Sequence, residues 1–518
     1  MSRRILFALL LLLIFGGALA LRLPDLPNRP MHTDEAVQAI KFQELLEHGR
    51  YTYDAHEYHG PVLNYVTLPF VKKPFAETDE ATFRRITVAF GVGLILLLFL
   101  ISDGLGKPET IVAGLLTALS PAMVFYSRYY IHEMLLVFFT FAAIGSGWRY
   151  LQTDLRRWAI TCGISLGLMH ATKETCVIAW AAMGAGIVGT LLLRRLRGEP
   201  LAIREWLRPR ALTLAAALGW GVFASVLLFS SFFSNMRGPI DSVMTYFTYV
   251  NRASGETHNH PAWWYLWLLG WFRYGPGPVW SEGLILVLSL FGSVAAFVRV
   301  NNSEDETPHT GSPTAARATR QLLTFLAIYT LAMLVVYSAI PYKTPWCMLG
   351  FLHGMILLAG IGAVWLIRAL PNLPLRAIAV LLMLAGTAHL TRQTYRASYV
   401  FESDPRNPYV YAQTSPDMLR MAKDIKALRI LGDAKFGIKP YVQLFAKDAW
   451  PLPWLLRDRS VDEWNSTEIE RNMEVIITDR ERIELIGYQL NIYGQRPGVF
   501  LYLYIRKDIW DKYLESRR

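Results

Sequence analysis

The chain has 518 residues, of which 53% are hydrophobic and only 18% charged, with a mean hydropathy of +0.27. So little charge cannot cover the surface of a soluble protein of this length, which excludes an ordinary soluble enzyme and points to many membrane spans. The net charge of +11 would suggest nucleic acid in a soluble chain, but the cations cluster between apolar runs, so orientation in a bilayer accounts for them and no nucleic-acid partner is expected.

The first apolar run, residues 5–21, follows Arg3-Arg4 and is read as an uncleaved helix, although Ala18-Leu19-Ala20 offers a small-x-small cleavage pattern. A long polar stretch, 22–85, comes next and carries Met31-His32-Thr33-Asp34-Glu35-Ala36, His56 and Tyr58-His59-Gly60-Pro61. Further apolar runs lie at 86–101, 110–126, 132–148, 158–172, 176–193, 211–231, 282–298, 321–339, 347–366 and 374–390. That makes eleven predicted spans, several of them shorter than the roughly 20 residues that cross about 30 Å of hydrocarbon.

With the N-terminus inside, Arg149, Arg156, Arg157, the arginines at 194–210, Arg299, Arg317, Arg320, Arg368 and Arg376 are all inside. The outer loops then hold isolated cations such as Arg128, Lys173 and Lys343, the asymmetry expected of a cell inner or plasma membrane protein. The polar segment Asn301 to Ala316 reads as a cytoplasmic linker. After about residue 392 the composition becomes that of a soluble domain, so 1–392 is the membrane domain and 393–518 an extracytoplasmic α/β domain of roughly 120 residues. Ser415-Pro416-Asp417 opens a helix whose apolar face is Leu419, Ala422, Ile425 and Leu428, while Glu474–Thr478 and Val499–Ile505 read as strands. Cys162, Cys176 and Cys347 lie in or beside apolar runs without metal-ligand spacing, and each is read as a small hydrophobe.

The chemistry gathers at the outer helix ends. The first loop supplies His32, Asp34, Glu35, Tyr58 and His59; the next turns read Ser127-Arg128-Tyr129-Tyr130-Ile131-His132-Glu133 and His170-Ala171-Thr172-Lys173-Glu174; later loops hold His258-Asn259-His260-Pro261 and Pro341-Tyr342-Lys343-Thr344-Pro345-Trp346. Ionisable groups at membrane depth are costly, so their convergence on one bilayer face marks a functional site. A carboxylate such as Asp34 or Glu35 suits proton removal from an attacking hydroxyl. Lys173, Lys343 or Arg128 suits a departing phosphate. His32, Tyr58, His59, His132 and Tyr342 complete the expected substrate-binding set, and Asp34, His132 and Glu133 form a candidate divalent-metal set. The plainer alternatives are a helix N-terminus for Asp34-Glu35, snorkelling for the two lysines, and an interfacial aromatic belt around His258, His260 and the tryptophans at 263, 264, 267 and 271.

In order and on one side, the motifs His32-Thr33-Asp34-Glu35-Ala36, Tyr58-His59-Gly60-Pro61, Ser127 to Glu133 and Tyr342-Lys343-Thr344-Pro345-Trp346, with Trp450-Pro451-Leu452-Pro453-Trp454 further on, resemble the flippase-activity-associated membrane protein family. That family is similar to glycosyltransferase family 39, the protein O-mannosyltransferase and aminoarabinose transferase group of the GT-C superfamily. The resemblance implies a GT-C-like polytopic α-helical fold and a catalytic first outer loop. It implies a sugar donor carried on polyprenyl phosphate and a protein, lipid or glycan acceptor. It makes Asp34 the base, Glu35 its neighbour and Glu133 the second outer-loop acid, a position where the related transferases often have aspartate. The competing classes are a flippase or transporter component, which would place its site at the midplane of repeated halves, and a non-catalytic assembly protein, which would tolerate Asp34→Asn.

Overall fold

The computed structural model describes residues 3–54, 59–71, 74–253, 258–298, 313–431, 440–458, 460–464, 473–481 and 483–517. His56, Tyr58 and most of the expected linker at 301–316 lie outside the described residues. A helix occupies each of the eleven predicted apolar runs: Arg3–Ala20, Glu80–Leu97, Lys107–Leu119 with Pro121–Ser127, Glu133–Thr153, Arg156–His170, Cys176–Leu196, Ala211–Phe229, Gly283–Val298, Pro313–Ala339, Leu349–Ala369 and Leu373–Tyr395. Among the described residues seven helices are long and apolar enough to cross a membrane, or eight if the bent pair counts as one span, so the chain is a polytopic helical membrane protein. Arg4–Ala20 and Gly283–Val298 are apolar but shorter.

Arg156–His170 has charged ends and only 15 residues, and it is held by close packing instead. A Cβ at Gly163 would lie 1.9 Å from the Ala217 carbonyl oxygen and one at Gly167 2.0 Å from that of Gly221. Glycines four residues apart thus bring this helix against Ala211–Phe229 backbone to backbone, the small-residue packing that membrane helices favour.

The bent pair positions the site. Lys107–Leu119 and Pro121–Ser127 meet at 58°, and the backbone groups freed at the break need partners where water is scarce. Arg22, fully buried, donates to the carbonyls of Thr117 at 2.9 Å and Ala118 at 3.0 Å and to Ser127 Oγ at 3.0 Å. Glu282 accepts from the Ala122 N–H at 3.0 Å, from Ser120 Oγ at 2.5 Å and from the Tyr409 hydroxyl at 2.7 Å. The turn Arg128–His132 follows directly, already aimed by this clamp.

Past residue 400 the chain forms a four-stranded sheet in the order β1-β2-β4-β3: β1 Val442–Phe445, β2 Val475–Thr478, β3 Tyr488–Arg496 and β4 Val499–Arg506. β1 and β2 run parallel, and the other pairs are antiparallel. The helix Asp417–Leu431 packs on it with Met418, Met421, Ala422, Ile425 and Leu428 buried. Leu419, expected on that face, is instead 37% exposed, because the buried stripe runs one residue earlier and takes in the two methionines. Trp454 fixes this part to the first loop: its ring packs on Phe75 and Phe83, its Nε1 donates to Glu80 at 2.7 Å, and Arg457 lies 3.7 Å over it.

Candidate active site

The loop helix Thr33–His48 starts on His32, whose Nδ1 accepts the Asp34 N–H at 3.0 Å while the His32 N–H donates to Glu35 Oε2 at 3.0 Å, a capping box. With Nδ1 accepting, the ring proton sits on Nε2, which donates to the Tyr411 carbonyl at 3.0 Å. Consecutive helix residues point about 100° apart, and this splits the two acids. Glu35 is fully buried and receives Arg84 in a fork, Nε to Oε1 and Nη2 to Oε2 both at 2.8 Å, plus the Tyr130 N–H at 2.9 Å. Burial alone would raise its pKa, but Arg84, Arg29 and these hydrogen bonds outweigh it and hold the carboxyl at about 2. Asp34 points the other way, its side chain 49% exposed with Oδ1 3.9 Å from His32 Nδ1. Of the two adjacent carboxylates expected as one catalytic unit, only Asp34 stands at the rim.

Arg128, expected as a substrate cation, is buried and engaged with the chain itself. Its Nη1 donates to the carbonyls of Arg22 at 2.9 Å and Pro24 at 2.6 Å, and the guanidinium lies 4.5 Å over the Tyr399 ring. Arg29 donates to the Arg128 carbonyl at 2.7 Å and stacks 3.9 Å over Tyr129. These arginines hold the first loop against the turn after the bent pair.

The second outer acid meets a lysine. Glu133 and Lys173 form a buried ion pair, and both line a cavity of about 20 Å³ with Tyr337, Trp346 and Cys347, room for one or two waters. His59 Nδ1 donates to Glu174 Oε2 at 2.8 Å, and Tyr53 donates to Glu174 Oε1 at 3.1 Å. Burial raises the Glu174 pKa, but His59 outweighs it and the carboxyl ends below its ordinary range. His132 stacks edge-on to His59 at 5.2 Å and donates through Nε2 to the Gly60 carbonyl at 3.1 Å. Gly60 also pairs through its N–H with the Thr172 carbonyl at 3.1 Å, so near that a Cβ would sit 2.2 Å from the Ala171 oxygen. Only glycine lets the two loops lie this close.

The last outer loop closes the rim. Lys343 donates to the carbonyls of His260, at 3.0 Å, and Ile340, and burial lowers its pKa. The Lys343 N–H donates to the His258 carbonyl at 3.0 Å. Tyr411, from the C-terminal part, sits 2.6 Å from His258 Nδ1 and 3.4 Å from His260 Nε2. Burial pushes the Tyr342 hydroxyl up to about 12, and it feels both the Lys173 cation and the Asp34 carboxylate. Trp346 has one face on the Glu133–Lys173 cavity while His32 packs edge-on at 5.6 Å. Distant segments thus meet around one rim: His32 and Asp34, Tyr342 to Trp346, His258 to His260, and Glu133 with Lys173 behind them.

The expected metal set does not assemble. Among the described residues no group of three or more His, Cys, Asp or Glu side chains is placed to hold a metal ion; Glu133 goes to Lys173, His132 to Gly60, and Asp34 stays at the rim. Sequence reasoning passed over Arg84, Arg29 and Tyr411. Arg84 carried a usable signal, a cation at the start of an apolar run with no reason to be buried other than a partner acid. Tyr411 carried none.

Residues 59–229, about a third of the chain, match the family model described as Dolichyl-phosphate-mannose-protein mannosyltransferase. No curated protein matches the sequence. Among solved structures, ArnT from Cupriavidus metallidurans bound to undecaprenyl phosphate aligns with a TM-score of 0.60 at 13% identity, over 96% of this chain and 97% of that one. The Archaeoglobus fulgidus oligosaccharyltransferase tethered to an acceptor peptide aligns with a TM-score of 0.54 at 12% identity, over 89% of this chain. The chain spans 64% of that oligosaccharyltransferase. The archaeal oligosaccharyltransferase AglB of the same organism, in complex with an inhibitory peptide and a dolichol-phosphate, aligns at 0.53 and 11%. The chain thus shares its fold with these solved structures, and residues 59–229 resemble the mannosyltransferase family model.

Proposed function

We propose that this chain moves a sugar from a polyprenyl-phosphate donor to an acceptor outside the cytoplasm, with Asp34 as the base. One observation carries the reading: among the acids described on this face, Glu35 is saturated by Arg84, Glu133 is paired with Lys173 and Glu174 with His59, while Asp34 stands half-exposed at the rim on a capped helix. The acceptor hydroxyl oxygen attacks the anomeric carbon as its proton passes to Asp34. The carbon–oxygen bond to phosphate breaks, and the electron pair leaves on the lipid phosphate, with inversion at the sugar. Lys173 and Lys343 supply positive charge beside the departing phosphate. The undecaprenyl phosphate in the ArnT structure and the dolichol-phosphate in the AglB structure support a lipid-phosphate carrier.

The same reading puts eleven spans and residues 1–392 in a cell inner or plasma membrane, with 393–518 and the site on the extracytoplasmic side; the arginine-rich inner loops support it. The test is transfer by the purified chain from polyprenyl-phosphate sugars to peptide, lipid and glycan acceptors in separate arms. Loss of product in Asp34→Asn and Glu133→Gln, both folded, is expected. Product formed at the wild-type rate by both variants would remove the assignment.

A further inference from the structure

The helices Cys176–Leu196 and Pro313–Ala339 pack closely along their apolar length, where a Cβ at Gly186 would meet the Phe325 ring at 2.8 Å and one at Gly189 would meet Ile328 at 2.7 Å. Where they part, at the end remote from Lys173, they enclose a partly open pocket lined by Arg194, Arg197, Glu199, Arg317, Arg320 and Gln321. Twenty-one helical residues separate this end from the candidate active site, about 30 Å at 1.5 Å per residue. The pocket's charge is unbalanced. Glu199 Oε2 accepts from Arg194 at 3.1 Å and Arg317 at 2.8 Å, which leaves one carboxylate among four guanidinium groups in the described lining. The Arg197 pKa is lowered, by burial first and by the nearby Arg320 charge, against the opposing pull of Glu199.

An excess of cations inside is ordinary, and so is a basic helix C-terminus. Neither requires two helices to turn their arginines into one hollow. The depth of the hollow identifies what fills it: one apolar stretch ends at Leu196 and the other begins at Arg317, so the guanidinium groups stand at headgroup level, and Leu196 beside them is 74% exposed. We infer that this pocket is a binding site for the phosphate headgroup of an anionic phospholipid of the cytoplasmic leaflet. The leaflet assignment rests on the orientation proposed above.

The test is native mass spectrometry of the full chain in detergent, titrated with phosphatidylglycerol, with phosphatidylcholine and with inorganic phosphate. The wild type is expected to retain phosphatidylglycerol in preference to phosphatidylcholine. Arg197→Gln with Arg320→Gln is expected to weaken that retention roughly tenfold or more while leaving phosphatidylcholine and basal transfer in detergent unchanged. Arg197→Lys with Arg320→Lys keeps the charge and should keep the lipid, which guards against misfolding as the cause of any loss. Asp34→Asn should retain the lipid, so a failed transfer assignment leaves this result standing. Equal retention of both lipids, no loss in the glutamine pair, or inorganic phosphate bound as tightly as the lipid would overturn the inference.

Discussion

Replacing Glu35 by Gln removes the charge that Arg84 grips. The carboxyl is held at about 2 against an ordinary 4.5, a difference worth about 3 kcal/mol at 1.36 kcal/mol per unit. Leaving a buried guanidinium without its partner costs a similar amount, about 3–5 kcal/mol. Because the folded-state pKa is depressed, this stabilisation is fully present above about 4.5 and disappears as the pH falls toward 2. Unfolding of the wild type and Glu35→Gln in mixed micelles, followed by tryptophan fluorescence, should show a gap of about 3 kcal/mol at neutral pH that narrows below pH 4.5. Adding Arg84→Met should recover part of the loss, since the stranded cation goes with it. A Glu35→Gln protein within about 0.5 kcal/mol of wild type that nonetheless fails to transfer sugar would refute the reasoning and return Glu35 to the chemistry.

Gly60→Ala should force the first loop away from the Ala171 carbonyl, 2.2 Å from the added carbon; melting should register about 1–3 kcal/mol of destabilisation and transfer should fall with it. Glu133→Gln and Lys173→Met should each cost more than half of what the double variant costs, because each strands a buried partner; a double-mutant cycle by melting should give a coupling of about 0.5–3 kcal/mol, and additivity would deny the pair. Burial lowers the pKa of His258 and of His260, the latter also beside His258 and Lys343, while Asp34 acts on His258 in the opposite sense. The native rim therefore favours the neutral rings, and transfer measured against pH should hold through the ordinary imidazole value of about 6.5 and decline only at lower pH. Substituting Gln at both positions should flatten that decline.

The helical membrane architecture was readable because it depends on apolar length, a local property of sequence, and every predicted run holds a helix. The expectation that the outer motifs gather rests on their common position at the ends of apolar runs, and the structure brings His32, Asp34, His258, His260 and Tyr342 to Trp346 near one another. What stayed hidden was which ionisable groups neutralise each other. His32 and Glu35 stand at capping-box spacing, but histidine is an unusual cap, and the partner that buries Glu35 lies 49 residues further on. Arg128 looks like a phosphate ligand in one dimension, whereas in three it satisfies the main-chain carbonyls of Arg22 and Pro24. The part past residue 400 was read through its β2 and β4 segments. β3, largely solvated on one side, gave a weaker pattern, and β1 is only four residues long.

Sugar transfer by Asp34→Asn is the most direct test of the central claim. With the purified chain and a polyprenyl-phosphate sugar donor, a single-turnover assay should show substrate still bound and product formation lowered by about 10²–10⁴-fold, the range a positioned base contributes. An Asp34→Asn protein that turns over at the wild-type rate would contradict the account.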